Sequence, residues 1–132
     1  MKYAVLLSSM LAACGSGGGT TKNDAAGSGS GSGSGVVNKV TTVACAGATI
    51  AATVTTGVAT EMKYTPMATT ITAGQIVEFK MGGAHNVRPS LTTGDPGLLV
   101  EFGADTCLKF SAAGTFGFYC QPHGFTGTVT VN

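Results

Sequence analysis

Charge is scarce in this chain. Seven Lys and Arg stand against six Asp and Glu in 132 residues, a formal net charge of +1. A chain so close to neutral offers no basic stripe to nucleic acid, and strong electrostatic steering of a partner is not expected. Helix signals are almost absent after residue 35, where Thr, Val, Gly and Phe dominate, a composition suited to short strands joined by glycine turns. No serine or cysteine nucleophile with a base is visible, so nothing in the sequence reads as an enzyme. With 43% apolar residues, the chain supports one compact domain once its first segments are set aside.

Those first segments have their own logic. Met1-Lys2 and the apolar run behind it follow the secretory signal pattern, and the run is too short to span a bilayer stably. It ends in Leu11-Ala12-Ala13-Cys14, which resembles the lipobox of bacterial lipoproteins. That resemblance implies a signal peptide over 1–13 and a diacylglycerol on Cys14, an anchor to which each buried CH₂ contributes about 0.8 kcal/mol. Gly15 lacks the aspartate that retains such proteins at the inner membrane, which favours the outer membrane, facing the periplasm. Residues 14–35 alternate Gly and Ser around a short polar interruption and read as a tether with an r.m.s. span of roughly 25 Å. The folded domain is expected over 36–132.

Histidine is nearly as scarce as charge, with two in the chain. Both stand in informative places: His85 in Gly83-Ala84-His85-Asn86-Val87, and His123 in Tyr119-Cys120-Gln121-Pro122-His123-Gly124. A single histidine in such a domain is ordinarily a satisfied core or surface residue. Two imidazoles with one thiolate are the strong ligands of a blue copper centre, which holds copper between the geometries of its two redox states. The weak axial methionine expected shortly after the second histidine is missing, because the chain continues Phe125-Thr126-Gly127-Thr128. Met62, Met67 and Met81 lie outside the ligand loops and read as core packing.

The four cysteines leave several assignments open. If Cys14 carries lipid and Cys120 binds metal, Cys45 and Cys107 remain, and an oxidising compartment would join them. Such a bridge closes about sixty residues and stabilises by roughly 4 kcal/mol in the chain-entropy model. A Cys107–Cys120 bridge would leave no thiolate for copper. A zinc site of His85, Cys107, Cys120 and His123 is the other rival.

Along the domain, Thr49 to Thr55 reads as a first strand, Ala59 to Tyr64 as a second element, and Ala68 to Thr72 as an extended segment. Ala73-Gly74-Gln75 is a turn. Ile76, Glu78 and Lys80 alternate with Val77, Phe79 and Met81, one polar-leaning face against one buried face. Arg88 to Asp105 reads as a long loop with a small strand at Leu98-Leu99-Val100. Strands follow at Cys107–Phe110, Thr115–Cys120 and Thr126–Val131.

In this order, several motifs resemble the cupredoxins, the small blue copper proteins of plastocyanin and amicyanin type. They are Tyr64-Thr65-Pro66, Ala73-Gly74-Gln75-Ile76-Val77, His85-Asn86-Val87, Phe110 to Phe116, Tyr119-Cys120-Gln121-Pro122-His123 and Gly127 to Val131. The resemblance implies an all-β, antiparallel Greek-key sandwich with one type 1 copper bound by His85, Cys120 and His123. It places the axial ligand at Thr126, whose hard hydroxyl makes that position weak or absent, with the Ala84 carbonyl as a distant contact. Asn86 is implied as the tie between the ligand loops, although Gln121 stands where a hydroxyl residue is usual. The function implied is a monomeric electron carrier whose redox partners dock near His123; a copper-buffering protein is the alternative.

Overall fold

The computed structural model describes residues 37–132. The expected signal peptide over 1–13, lipidated Cys14 and the tether up to Gly35 lie outside the described residues.

Period-two alternation decides which faces close on each other. Val77, Phe79 and Met81 are buried, while Lys80 is exposed and Glu78 half-buried, as the sequence predicts. The strands are β1 Val40–Val43, β2 Ile50–Thr56, β3 Tyr64–Thr65, β4 Ala68–Ile71, β5 Ile76–Lys80, β6 Arg88–Pro89, β7 Asp105–Phe110, β8 Gly114–Tyr119 and β9 Thr126–Val131. They form two sheets, ordered β1-β7-β5-β2-β3 and β4-β9-β8-β6. Between the sheets lies a core that includes Val54, Tyr64, Phe79, Leu108, Phe110, Phe118 and Val129. Phe79 and Phe118 meet across it edge to face, with ring centroids 5.4 Å apart, the arrangement that the ring quadrupoles prefer.

The sandwich is all-β as expected, but its sheets are mixed rather than wholly antiparallel. β2 pairs parallel with β5, and β4 parallel with β9. The chain leaves the first sheet after β3, contributes β4 to the second, and returns as β5 beside β2. A strand that re-enters its sheet after such a crossing arrives parallel to its neighbour.

Three local features differ as well. Val40–Val43 is a strand that composition did not reveal, held antiparallel on β7 in the register Val40↔Phe110 to Val43↔Cys107. Of the second element expected over Ala59 to Tyr64, only Tyr64 lies in a strand. Glu61 N–H donates to the Val58 carbonyl at 2.9 Å and closes a turn, so the pairing with β2 shrinks to Thr55↔Thr65 and Thr56↔Tyr64. The small strand expected at 98–100 reduces to one antiparallel bridge, Val87↔Val100, whose two backbone bonds measure 2.9 and 3.1 Å. Leu98 and Val100 are nevertheless buried and plug the core beneath the long loop.

Cys45 and Cys107 form a disulfide that ties the segment after β1 to β7. Cys107 is thereby withdrawn from the two rival sets, the Cys107–Cys120 bridge and the four-ligand zinc site. Cys120 is free and buried.

Candidate metal centre

His85 is delivered by a turn that tolerates little else. After β5, Gly82 N–H donates to Thr56 Oγ1 at 2.7 Å, and the Gly82 carbonyl accepts from His85 N–H at 2.9 Å and Gly103 N–H at 3.2 Å. A Cβ on Gly82 would lie 2.7 Å from the Gly57 carbonyl oxygen, so only glycine fits this close approach. The His85 ring is fully buried. Its Nε2 lies 3.3 Å from the Val58 carbonyl oxygen. A carbonyl can only accept, so the proton belongs on Nε2 and the Nδ1 lone pair is left free. That Nδ1 faces Cys120 Sγ at 3.8 Å.

Cys120 follows directly on β8, and the chain turns back within five residues to start β9. Cys120 N–H donates to the Phe125 carbonyl at 2.9 Å, and Gly124 N–H to the Cys120 carbonyl at 2.7 Å. The left-handed φ of +73° at Gly124 makes this tight return possible. His123 sits on the outer part of the turn, exposed, with Nδ1 3.5 Å from Cys120 Sγ. Ligand atoms of His85, Cys120 and His123 all lie within 4.8 Å of one another. Sulfur-to-nitrogen edges of 3.5 and 3.8 Å suit a metal between them at bond lengths of about 2.0–2.3 Å. A thiolate with two imidazoles is the donor set that suits copper.

Asn86 joins the two ligand loops. Its Oδ1 accepts Gln121 N–H at 2.9 Å, and its Nδ2 reaches Gln121 Oε1 at 3.5 Å. The usual hydroxyl after the cysteine is therefore replaced by the backbone, with an amide beside it. Tyr64 belongs to the Tyr64-Thr65-Pro66 motif, which by itself assigns it no part in the site. Its buried hydroxyl donates to the Asn86 carbonyl at 2.7 Å. The signal was available in Tyr64-Thr65-Pro66, but only the sandwich brings it beneath His85-Asn86. Burial, and secondarily the charge on Cys120, push the Tyr64 phenol far above its ordinary pKa, so it stays protonated and donating.

Residues 48–132 match the copper binding proteins of the plastocyanin/azurin family. The chain belongs to this family. It is 36% identical over 83 residues to plastocyanin from Prochlorothrix hollandica, covering 52% of this chain and 62% of that one, so it spans less than two thirds of that relative's length. It is 34% identical over 89 residues to plastocyanin from Dryopteris crassirhizoma, covering 52% of this chain and 87% of the other. In structure it is similar to amicyanin from Paracoccus versutus, with 26% identity, a TM-score of 0.50, and coverage of 72% and 99% of the two chains. In this cupredoxin, His85, Cys120 and His123 form a candidate type 1 site for one copper.

The cupredoxin's expected axial position falls on β9. Thr126 pairs with Tyr119, and side chains opposite each other on a ladder share one face. Both line a shallow recess with Ser90 and Leu91 on the outer side. Thr126 is exposed there, and Cys120, the residue after Tyr119, belongs to the opposite, buried face. Phe125, one residue earlier, faces inward. Its ring centroid lies 5.3 Å from that of His85, 6.1 Å from that of His123 and 4.7 Å from that of Tyr64. Ala84 is half-buried in the turn directly before His85.

Proposed function

We propose that this protein carries single electrons through one type 1 copper held by His85, Cys120 and His123, and that it is a carrier rather than an enzyme. The observation that carries this reading is the convergence of two imidazoles and a thiolate of which two members are buried and one, His123, is exposed. Copper bound there would supply a one-electron Cu(II)/Cu(I) couple. The Val58 carbonyl fixes the His85 tautomer, Asn86 locks the two loops together, and the core excludes water from Cys120. A site held this firmly changes little on oxidation, which keeps reorganisation small. Neither Thr126 nor any methionine of the ligand loop supplies a thioether, a donor set that disfavours Cu(II) and raises the reduction potential.

The exposed edge of His123 is the entry and exit for electrons, and redox partner proteins dock around it. Val58 and Phe102 are exposed apolar side chains close to the His85 turn: the Val58 carbonyl meets His85, and Gly103, next to Phe102, lies against Gly83. With so little charge on the chain, docking is apolar rather than steered. The protein acts as a monomer. Members of the family are typically exported or periplasmic; the Leu11-Ala12-Ala13-Cys14 motif supports lipid anchoring in the cell envelope, with Gly15 favouring the outer membrane facing the periplasm.

Copper reconstitution with redox titration tests the function. An intense visible thiolate-to-copper band with fast, reversible one-electron redox is expected, lost in Cys120→Ser. Tight Cu(I) binding without that band or that reversibility would replace the carrier by the second reading, a copper buffer, which the lack of an axial thioether favours.

A further inference from the structure

The ladder between β8 and β9 places a side chain beside the copper thiolate that the ligand pattern does not call for. Tyr119 and Thr126 are its last outward pair. The next rung is Cys120 and Phe125, joined through Cys120 N–H and the Phe125 carbonyl at 2.9 Å, and both face inward. Cross-strand neighbours hold their Cβ atoms about 5 Å apart, and Phe125 packs against the buried cluster that includes Cys120. Its ring meets His85 and Tyr64 edge to face, and lies nearly parallel to that of His123 with an interplanar angle of 11°. Phe125 is half-buried, whereas His123 beside it is exposed and Cys120 fully buried.

We propose that Phe125 is a positioning residue that shuts water and any fourth donor out of the metal site. The proposal deepens the copper reading and rests on it for the metal, but the shielding of Cys120 stands without metal. The outward direction of Thr126 is then a consequence of the strand pairing, and Thr126 is not a substitute ligand. The inward place at this corner is already taken by an aromatic ring, one that offers surface and no lone pair. Tyr64 backs that ring from below, and its hydroxyl is committed to the Asn86 carbonyl, so it offers no free donor either.

The test uses the full-length protein in two states. In the metal-free protein, the rate at which iodoacetamide alkylates Cys120, read by peptide mass spectrometry, should rise about tenfold or more in Phe125→Ala and stay within about threefold of wild type in Phe125→Leu and Thr126→Ala. Amide exchange in β8 and β9 should remain unchanged in Phe125→Ala; a parallel rise there would mean general loosening and would overturn the local shield. In the copper-loaded protein, added azide should alter the Cu(II) electron paramagnetic resonance spectrum of Phe125→Ala and leave that of wild type unchanged. Equal alkylation rates in wild type and Phe125→Ala, or a rise in Thr126→Ala instead, would overturn the proposal. A wild-type protein that shows no blue spectrum while the alkylation pattern holds would refute the carrier reading and leave the shield standing.

Discussion

The Tyr64 hydroxyl donates to the Asn86 carbonyl at 2.7 Å inside the core, while the Asn86 side chain holds Gln121 N–H at 2.9 Å. The first histidine loop is thus clamped from both sides, by β3 below and by the cysteine loop beside it. Tyr64→Phe leaves a buried carbonyl unpaired, and Asn86→Ala strands the Gln121 N–H. Each should cost about 1–3 kcal/mol of stability in denaturant unfolding. The two together should cost less than the sum, since they act on one network.

Alkaline pH should weaken the fold through the same phenol. Its pKa is raised in the folded state above the unfolded value of about 10. Below pH 10 both states keep the proton and the contribution is intact. Above it the unfolded chain ionises first, so stability falls as pH rises. Unfolding midpoints between pH 8 and 11 should therefore drop more steeply in wild type than in Tyr64→Phe.

Removing the disulfide should separate stability from metal chemistry. The Cys45→Ala, Cys107→Ala double variant frees a loop with a sequence separation of 62 and should lose about 2–4 kcal/mol. Its copper spectrum should match wild type, because neither cysteine belongs to the cluster of His85, Cys120 and His123.

Copper itself should stabilise the folded chain by mass action. At a free concentration one hundred times the dissociation constant, the gain is about 2.7 kcal/mol. Thermal melts with and without copper should show that gain in wild type and little of it in His123→Ala or Cys120→Ser. A chelator should reverse it.

Legible in the residues alone are the two imidazoles and the thiol proposed as donors, and most of the strands around them. His85 behind a double glycine and Cys120-Gln121-Pro122-His123 between two alternating strands were legible because ligand chemistry and period-two patterning are local. Assigning each thiol a role leaves Cys45 and Cys107 as a pair beside two rivals, and the Cys45–Cys107 bond removes Cys107 from both rivals. Tertiary structure alone decided the rest. Val40–Val43 is a strand because β7 offers it an edge, and the element expected over Ala59 to Tyr64 shrinks to its last residue because a turn bond at Val58 precedes the ladder. Position 126 is an axial site only by what the family resemblance implies; its direction depends on the Tyr119↔Thr126 register, which turns Thr126 outward and Phe125 in. Spacing along a chain counts residues; which of two neighbours faces the metal is set by the partner strand.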